Sequence, residues 1–246
     1  SANVSGQYGC LEIVNCANYG DLAQLGNGGA YGGALGYQYR LANVRIDGFQ
    51  NHGTIGGETD PKGNVLTSGY AGGIIGQLSE LYNAQPVSVV NSANYGAVLG
   101  GIYTGGIVGS ASANTGHGDT RIMVTNSANY VVFPASTDEH RYGQLFAAFQ
   151  SKTTASATRV YGAWNCFFME DEFVGYNAGS VIHTEGNVTV VDDGYTSRSA
   201  TKALNAWAAD NDYETWIQGR IGDEVYPELG IFCQKPYASG LMLLLR

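Results

Sequence analysis

Acidic side chains are the residues of this sequence whose types and spacing could support catalysis. Two carboxylates on neighbouring strands can cleave a glycosidic bond when one protonates the leaving oxygen and the other activates water or attacks the sugar. The candidates fall in four short groups: Glu170, Asp171 and Glu172; Asp192 and Asp193; Asp210, Asp212 and Glu214; Asp223 and Glu224. All four groups lie outside the repeated phrases described below, in segments where charged residues usually face solvent. A glycan-active hydrolase or lyase is therefore the alternative function, and no catalytic residue is predicted.

Metal and nucleophile chemistry has weaker support in this sequence. No G-x-S-x-G, H-E-x-x-H or C-x-x-C motif is present, and segment 210–214 lacks the glycine and the distal glutamate of a calcium loop. The four histidines are scattered along the chain: His52, His117, His140 and His183. The sequence therefore predicts no metal, no cofactor and no enzymatic activity.

Composition restricts the class of protein further. Glycine accounts for 36 of 246 residues and charged residues for 13%, while hydrophobic residues reach 44%, a class that includes all 17 tyrosines. This apolar content is that of a folded chain rather than a disordered one. The net charge of −9 comes without a basic stripe, so we expect no nucleic-acid binding. No apolar run reaches 18 residues, so we expect no membrane insertion, and the missing signal-peptide pattern indicates a processed form or a fragment.

Two short phrases alternate along the chain and must position any functional group. The corner phrase has four copies: VNCANYG at 14–20, a worn DGFQNHG at 47–53, VNSANYG at 90–96 and TNSANYV at 125–131. The glycine phrase also has four: YGGALG at 31–36, AGGIIG at 71–76, TGGIVG at 104–109 and a decayed YGQLFA at 142–147. A fifth repeat begins at 158–168. Equivalent positions lie 33 to 43 residues apart, which is typical of stacked repeats with variable insertions.

The repeats predict strands, because segments such as VSVVNSA and GGIIGQL are short, β-branched and bounded by Gly or Asn. We expect an all-β fold in which residues 1–190 form a β-solenoid of four to five irregular coils, similar to a right-handed β-helix. A stack of β-hairpins satisfies the same pattern and remains the alternative.

Residues 191–246 depart from the repeat pattern and predict a small α+β cap over the end of the stack. One helix is expected over 197–211, with Ser197 or Ser199 as its N-cap. Its apolar face is expected to comprise Ala200, Ala203, Leu204 and Trp207. The buried anchors expected after the helix are Trp216, Ile217, Tyr226, Leu229 and Ile231.

The two phrases have a physical explanation in a stack. Asn and Gly tolerate the left-handed backbone that a tight corner requires, so Asn-Tyr-Gly is expected to end a strand. Each corner amide would lie about 4.8 Å from its counterpart, where it can donate to one neighbour and accept from the other. The glycine phrase lets two backbones approach closely at a second corner. The residues predicted to form these ladders and approaches are Asn15, Asn18, Asn91, Asn94, Asn126, Asn129, Gly32, Gly72 and Gly105.

The cysteines follow the same alignment in part. One position of the corner phrase holds Cys16, Ser92, Ser127 and Cys166 in successive copies, so the position requires a small side chain rather than a thiol. Buried free thiols are therefore expected at Cys16 and Cys166, rather than a disulfide or a metal site. Two further cysteines near the chain ends, Cys10 and Cys233, are outside the pattern, and their state is left open.

Tyrosines form a further series. Tyr19, Tyr95 and Tyr130 follow the corner asparagine, with His52 in the same place, and Tyr70 and Tyr103 precede the glycine phrase. An exposed file of rings would bind sugars or a partner surface, whereas a self-stacking ladder would only cover the corner, and regular repetition favours the ladder.

Binding residues are also expected in the polar insertions at 58–68 and 111–120, because repeat proteins present variable loops on one side. The second insertion contains Gly-His-Gly-Asp at 116–119, most simply a solvated polar surface. The candidate binding residues are Tyr19, Tyr95, Tyr130, Tyr70, Tyr103, His117 and Asp119.

The paired phrases resemble the GLUG-motif repeats of bacterial cell-surface and secreted proteins. The resemblance covers residues 14–109 well and 125–168 loosely, and the ALNAW…W…YPEL ending is similar to the closing segment of such proteins. In the fourth copy the glycine pair becomes Gly143-Gln144, which departs from the motif. The resemblance implies extracellular or surface exposure, a β-solenoid-like fold and a role in adhesion, and it assigns no catalytic residue. Because such repeats also accompany some IgA-protease-like peptidases, a stalk of a secreted peptidase is a third hypothesis.

The function expected from these observations is that of a non-catalytic extracellular cell-surface module. It would act as an adhesin or spacer and bind a glycan or a host or cell-surface protein through loops and exposed tyrosines.

Overall fold

The structure is a computed structural model that describes most of the chain. The described residues are 10–23, 26–39, 43–64, 66, 68–81, 86–113, 120–137, 139–151, 159–169, 174–177, 181–191, 196–221 and 224–232. The fold is mostly β, with 52% of the chain in strands and one α-helix, and its parallel sheets curl into a half-barrel.

The strands follow the two phrases closely. In the first two repeats they are β1 Cys10–Val14, β2 Ala17–Asn18, β3 Ala30–Gly32, β4 Leu35–Tyr39, β5 Asn43–Asp47, β6 Gln50–Asn51, β7 Ile55–Gly56, β8 Tyr70–Gly72 and β9 Ile75–Leu81. In the next two they are β10 Val87–Val90, β11 Ala93–Asn94, β12 Val98–Leu99, β13 Tyr103–Gly105, β14 Val108–Ala113, β15 Thr120–Thr125, β16 Ala128–Asn129, β17 Arg141–Gly143 and β18 Phe146–Ser151. The remaining elements are β19 Arg159–Phe168, β20 Val174–Asn177, β21 Val181–Val190, helix α1 Ser197–Asp210, β22 Trp216–Ile221, β23 Glu224–Leu229 and a 3₁₀ turn Gly230–Phe232.

Equivalent strands of successive repeats lie side by side in parallel. The largest sheet runs β1-β5-β10-β15-β19 and returns through β16-β11-β6-β2, while two further sheets run β3-β8-β13-β17 and β4-β9-β14-β18-β20. The registers join equivalent residues, so that Val87 pairs with Val44 on one side and Ile122 on the other. Among the described strands only β22 and β23 pair antiparallel. Parallel pairing between repeats is not the arrangement of stacked β-hairpins, which would pair antiparallel.

The main core lies between the largest sheet and the sheet of β4, β9, β14, β18 and β20. Alternate residues of each strand point inward, as the period of two requires. Those of the largest sheet include Val44, Ile46, Val89, Val124 and Tyr161, and those of the facing sheet include Ile75, Leu78, Val108, Phe146 and Phe149. The rings of Phe149 and Tyr161 stack with centroids 3.6 Å apart.

The left-handed corner lies at a different asparagine from the one expected. At the corner of each repeat the residue with positive φ is the first asparagine, namely Asn15, Asn91, Asn126 and Asn165 with φ of 49° to 52°, and Gly48 takes this place in the second repeat at 65°. The asparagine before Tyr-Gly instead lies in the short strand that follows the corner. The expectation that Asn-Tyr-Gly supplies the left-handed residue was therefore wrong, because the chain turns before this second asparagine rather than after it.

The C-terminal segment packs against the side of the stack. Leu204 and Ala208 of α1 and Trp216 of β22 share a buried cluster with Ala128 and Phe167 of the repeats. The C-terminal segment therefore covers the corners along the side of several repeats. A cap over the end of the stack would cover only the last strand.

Details of the C-terminal segment also differ from the prediction. The N-cap of α1 is Thr196, not Ser197 or Ser199, and its hydroxyl accepts from the backbone N–H of Ser199. Trp216 and Leu229 are buried as expected, but Ile217 and Ile231 are exposed on the outer surface of the segment.

Candidate functional site

A ladder of asparagine amides, buried from Asn51 onward, runs through the repeats. Asn18 donates to Asn51 at 2.8 Å, Asn51 to Asn94 at 2.8 Å and Asn94 to Asn129 at 3.0 Å, in each case from Nδ2 to Oδ1. Asn129 ends the ladder by donating to Oε1 of Gln144 at 2.8 Å. Every amide of this ladder therefore has a partner, which burial in a core makes obligatory.

Gln144 has a structural role that the sequence pattern obscures. It takes the place of the second glycine of the phrase, and in the third repeat a Cβ on that glycine, Gly106, would lie 2.2 Å from Cγ of Asn129. The fifth repeat has Phe168 where the ladder asparagine is expected, so Asn129 has no amide above it. The Gln144 side chain supplies that missing partner from the bend between β17 and β18, so the apparent decay of the phrase completes the ladder.

A second ladder connects the repeats to the C-terminal segment. Asn165 donates to Asn126 and Asn126 to Asn91, both at 2.7 Å. At its end, Asn91 donates to the backbone oxygen of Glu214 at 2.8 Å and accepts from the indole N–H of Trp216 at 2.6 Å. The C-terminal segment therefore satisfies the last amide of this ladder.

The corner-phrase position that holds Ser or Cys makes the same type of hydrogen bond in several repeats. Ser92 and Ser127 each donate to the carbonyl two residues earlier at 2.7 Å, and Cys166 does so weakly at 3.4 Å. Two expectations fail here. Cys16 is exposed rather than buried, because no further described repeat covers the first one, and the second repeat holds a buried Phe49 in this place.

We expect the thiol of Cys166 to resist modification in the folded protein. Burial raises its pKa to about 12, so the reactive thiolate is scarce at pH 8. Exposed Cys16 serves as the internal control. Peptide mapping after a short treatment with iodoacetamide should show Cys166 labelled at least about a hundredfold more slowly than Cys16, and comparably only after unfolding in guanidinium. Equal labelling of the two in the folded state would contradict the buried thiol.

The first tyrosine series is a continuous stack. The rings of Tyr19 and His52 lie 4.7 Å apart, those of His52 and Tyr95 4.8 Å, and those of Tyr95 and Tyr130 5.6 Å. Tyr226 of the C-terminal segment packs on Tyr130, which is buried, whereas Tyr19 is 64% exposed. Burial also lowers the pKa of His52. Most of the stack is therefore part of the packing, and only its first ring is open.

Of the other candidate residues, some lie in described strands and others lie outside the described part of the chain. Tyr70 and Tyr103 stack at 5.6 Å on β8 and β13 and are half-buried. His117 and Asp119 lie outside the described residues. The acids at 170–172, 192–193 and 223 also lie outside them, while Asp210, Asp212 and Glu214 are exposed on the C-terminal segment.

A cleft of about 380 Å³ opens beside the first insertion. Its lining comes from three stretches that are distant in sequence, 58–66, 97–100 and 131–142, and it includes Glu58, Leu66, Leu99, Val132, Phe133, His140 and Tyr142. A cleft of this size with mostly apolar walls and a few polar groups is the usual form of a small-ligand site.

The cleft exists because a short sheet stops. Strand β7 pairs with β12, joining Ile55 to Val98 and Gly56 to Leu99. The equivalent residues of the fourth repeat are Phe133 and Pro134, in a segment without strand structure. Proline has no N–H to donate to the sheet, so the fourth repeat cannot add a third strand. The sheet therefore ends at β12, and residues 131–134 line the cleft beside it.

A closed loop holds two of the polar groups in the cleft. The Ser136 hydroxyl accepts from the backbone N–H of Tyr142 at 2.9 Å and donates to its carbonyl at 3.0 Å. Nδ1 of His140 lies 3.0 Å from the backbone oxygen of Gly101. Burial, with a smaller contribution from the negative charge of Glu58, raises the pKa of the Tyr142 phenol. His140 and Tyr142 are thus fixed by hydrogen bonds rather than free on a surface loop.

The first insertion forms the opposite wall. The backbone N–H of Leu66 donates to the carbonyl of Glu58 at 2.8 Å and closes the loop. Within it, a carboxylate oxygen of Asp60 accepts from the backbone N–H groups of Lys62 and Asn64, and hydrogen bonding lowers the pKa of Asp60. Of the second insertion, residues 114–119 lie outside the described part.

Comparison with protein-family models, curated proteins and solved structures gave no match for this chain. No group of three or more His, Cys, Asp or Glu among the described residues could hold a metal ion. Within the same part of the chain, no helix is long and apolar enough to cross a bilayer. What can be said of the protein therefore comes from its structure. The described residues form stacked repeats joined by parallel sheets, with an apolar cleft beside the first insertion.

Proposed function

We propose that this protein is a non-catalytic β-solenoid module of an extracellular or bacterial cell-surface protein, and that it binds a glycan or protein partner through the cleft. The parallel registers between equivalent residues of successive repeats support the β-solenoid. The resemblance of the two phrases to GLUG-motif repeats supports surface exposure and a role in adhesion.

The cleft is the observation that carries the proposal. In the ladders, side chains that could recognise a partner are already hydrogen-bonded to each other, and most of the tyrosine stack is packed. The cleft instead places Leu99 and Val132, 36% and 59% exposed, next to Glu58 and His140. Exposed apolar side chains rimmed by polar groups are typical of a binding surface.

The cleft offers little to the alternative of a glycan-active hydrolase or lyase. Such a site requires two carboxylates about 5–10 Å apart across the substrate. Among the described lining residues, Glu58 is the one carboxylic acid. The lining of the cleft therefore supports binding of a glycan or protein better than it supports cleavage of a glycan.

Filling the cleft tests the proposal. We expect Leu99→Trp to weaken binding to a responding glycan or extracellular matrix protein by about tenfold or more, because the indole occupies the space that the partner needs. Leu22→Trp is the matched control, since Leu22 has a similar exposure of 40% and lies in the first repeat outside the cleft lining.

The measurement is a screen of purified glycans and matrix proteins followed by calorimetric titration of each responder. Mass spectrometry of the recovered glycan checks that it is unchanged. Binding that is insensitive to Leu99→Trp would rule out the cleft, and cleavage of the glycan would rule out the non-catalytic role.

A further inference from the structure

Two polar side chains of the cleft, His140 and Glu58, offer hydrogen-bond acceptors to a ligand. The carbonyl oxygen of Gly101 can only accept, so Nδ1 of His140 carries the proton in their 3.0 Å contact. In the neutral ring, Nε2 of His140 then carries a lone pair and can only accept. The Glu58 carboxylate likewise accepts only, and it makes no hydrogen bond within the described residues. These two groups therefore call for donors on the ligand, while the hydroxyls of Thr59 and Tyr142 in the lining can donate or accept.

The charge of the cleft, unlike its mixed hydrogen-bonding groups, is one-sided. None of the described residues that line it is Lys or Arg, and the whole chain carries a net charge of −9. The phenol of Tyr142 stays protonated at neutral pH, because burial and the nearby Glu58 charge raise its pKa. An anionic ligand would meet repulsion from Glu58 without a compensating cation.

The walls add a requirement for shape. The rings of Phe133 and Tyr142 stack 5.9 Å apart, and Leu66, Val98 and Leu99 extend the apolar surface. A ligand that fits both wall and rim has an apolar face and several hydroxyl donors around its edge. A pyranose ring has this combination, since its C–H groups form apolar faces and its hydroxyls project at the rim.

We propose that the cleft binds an uncharged pyranose of a neutral glycan, whose hydroxyls donate to Glu58 and His140 while its C–H face packs on the apolar wall. This inference rests on the proposed function and deepens it by naming the ligand class. An extended peptide is less suited, because its backbone presents as many acceptors as donors and the cleft's side chains supply few donors in return.

Matched sugars provide the first test. Methyl glucoside and methyl galactoside are each compared with the methyl glycoside of the corresponding uronic acid. In the uronic acid a carboxylate replaces the hydroxymethyl group at C6. We expect at least one neutral sugar to bind, and its acidic counterpart to bind about tenfold or more weakly. Saturation-transfer NMR detects binding, and calorimetry gives the dissociation constants.

Variants of the two acceptors provide the second test. His140→Phe keeps a ring but removes the acceptor, so we expect neutral-sugar binding to weaken by about tenfold. His52→Phe is the matched control, because His52 lies in the tyrosine stack outside the cleft lining. Glu58→Gln should reduce the discrimination against the uronic acid, and thermal unfolding checks that all three variants fold.

The outcomes separate this inference from the proposed function. Tighter binding of a uronic acid, or sugar binding that Leu99→Trp leaves unchanged, would overturn the inference. A protein partner that is lost on Leu99→Trp while no sugar binds would also overturn it but would retain the binding function. Absence of any ligand in the whole screen would remove both.

Discussion

Replacing Gly72 with alanine is expected to lower the free energy of unfolding by more than about 4 kcal/mol. A Cβ on Gly72 would lie 1.9 Å from the carbonyl oxygen of Ile75 and 2.7 Å from the backbone nitrogen of Gly109. Both are backbone atoms, so no side-chain rotation can relieve the clash. The alternative is to move β8 away from Ile75 of β9 and Gly109 of β14, which disturbs the register that joins Gly72 to Gly105 of β13. Urea unfolding followed by circular dichroism measures the loss.

Gly26→Ala is the matched control for this prediction. A Cβ at Gly26 meets no atom within 4 Å, and this glycine is not among those with positive φ. We expect its free energy of unfolding to stay within about 1 kcal/mol of the parent, because the substitution mainly reduces the freedom of the unfolded chain. Equal losses for the two variants would show that close backbone approach is not what the glycine phrase provides.

Much of the repeat geometry follows from the alignment of the two phrases. Because each repeat stacks on equivalent positions of the next, aligned residues become neighbours, as Asn51, Asn94 and Asn129 do in the registers of β6, β11 and β16. The alignment does not identify which asparagine of the phrase takes the left-handed conformation. Both are asparagines, so intrinsic preference cannot distinguish them, and the turn is set by where the strands end.

The cleft was not predictable in the same way, because it depends on where the repeat fails. Pro134 ends the β7–β12 sheet, and it lies between the two phrases rather than within either of them. A proline at a position that is strand in two earlier repeats is nevertheless a signal that a sheet stops there. Nothing in the sequence around His140 distinguishes it from the other histidines, since its contact with Gly101 joins residues 39 apart in sequence.

The insertion at 58–68 was predicted as a binding loop from its position, and it does supply Glu58 and Leu66 to the cleft. What the sequence could not supply was the opposite wall. That wall comes from the fourth repeat, and the two meet only because the repeats stack.

Asn94→Ala is expected to lower the free energy of unfolding by about 3 kcal/mol or more. The substitution removes the acceptor for Nδ2 of Asn51, at 2.8 Å, and the donor to Oδ1 of Asn129, at 3.0 Å. Both partners are buried, so each loses a hydrogen bond that water cannot replace. Asn64→Ala is the control, since Asn64 is exposed and its amide bonds only within its own loop, and we expect a loss of about 1 kcal/mol or less.

Asn94→Asp distinguishes a ladder of donors and acceptors from a position that merely needs a side chain of this size. An ionised carboxylate accepts from Asn51 but cannot donate to Asn129, so it places two acceptors against each other. Burial and this contact should raise the pKa of the introduced carboxylate above its unfolded value of about 4. The variant is then most stable, relative to the parent, below about pH 4, and loses stability as the pH rises through the raised pKa. Urea midpoints for parent and variant at a series of pH values measure this difference, and a pH-independent gap would show that the amide's donor is dispensable.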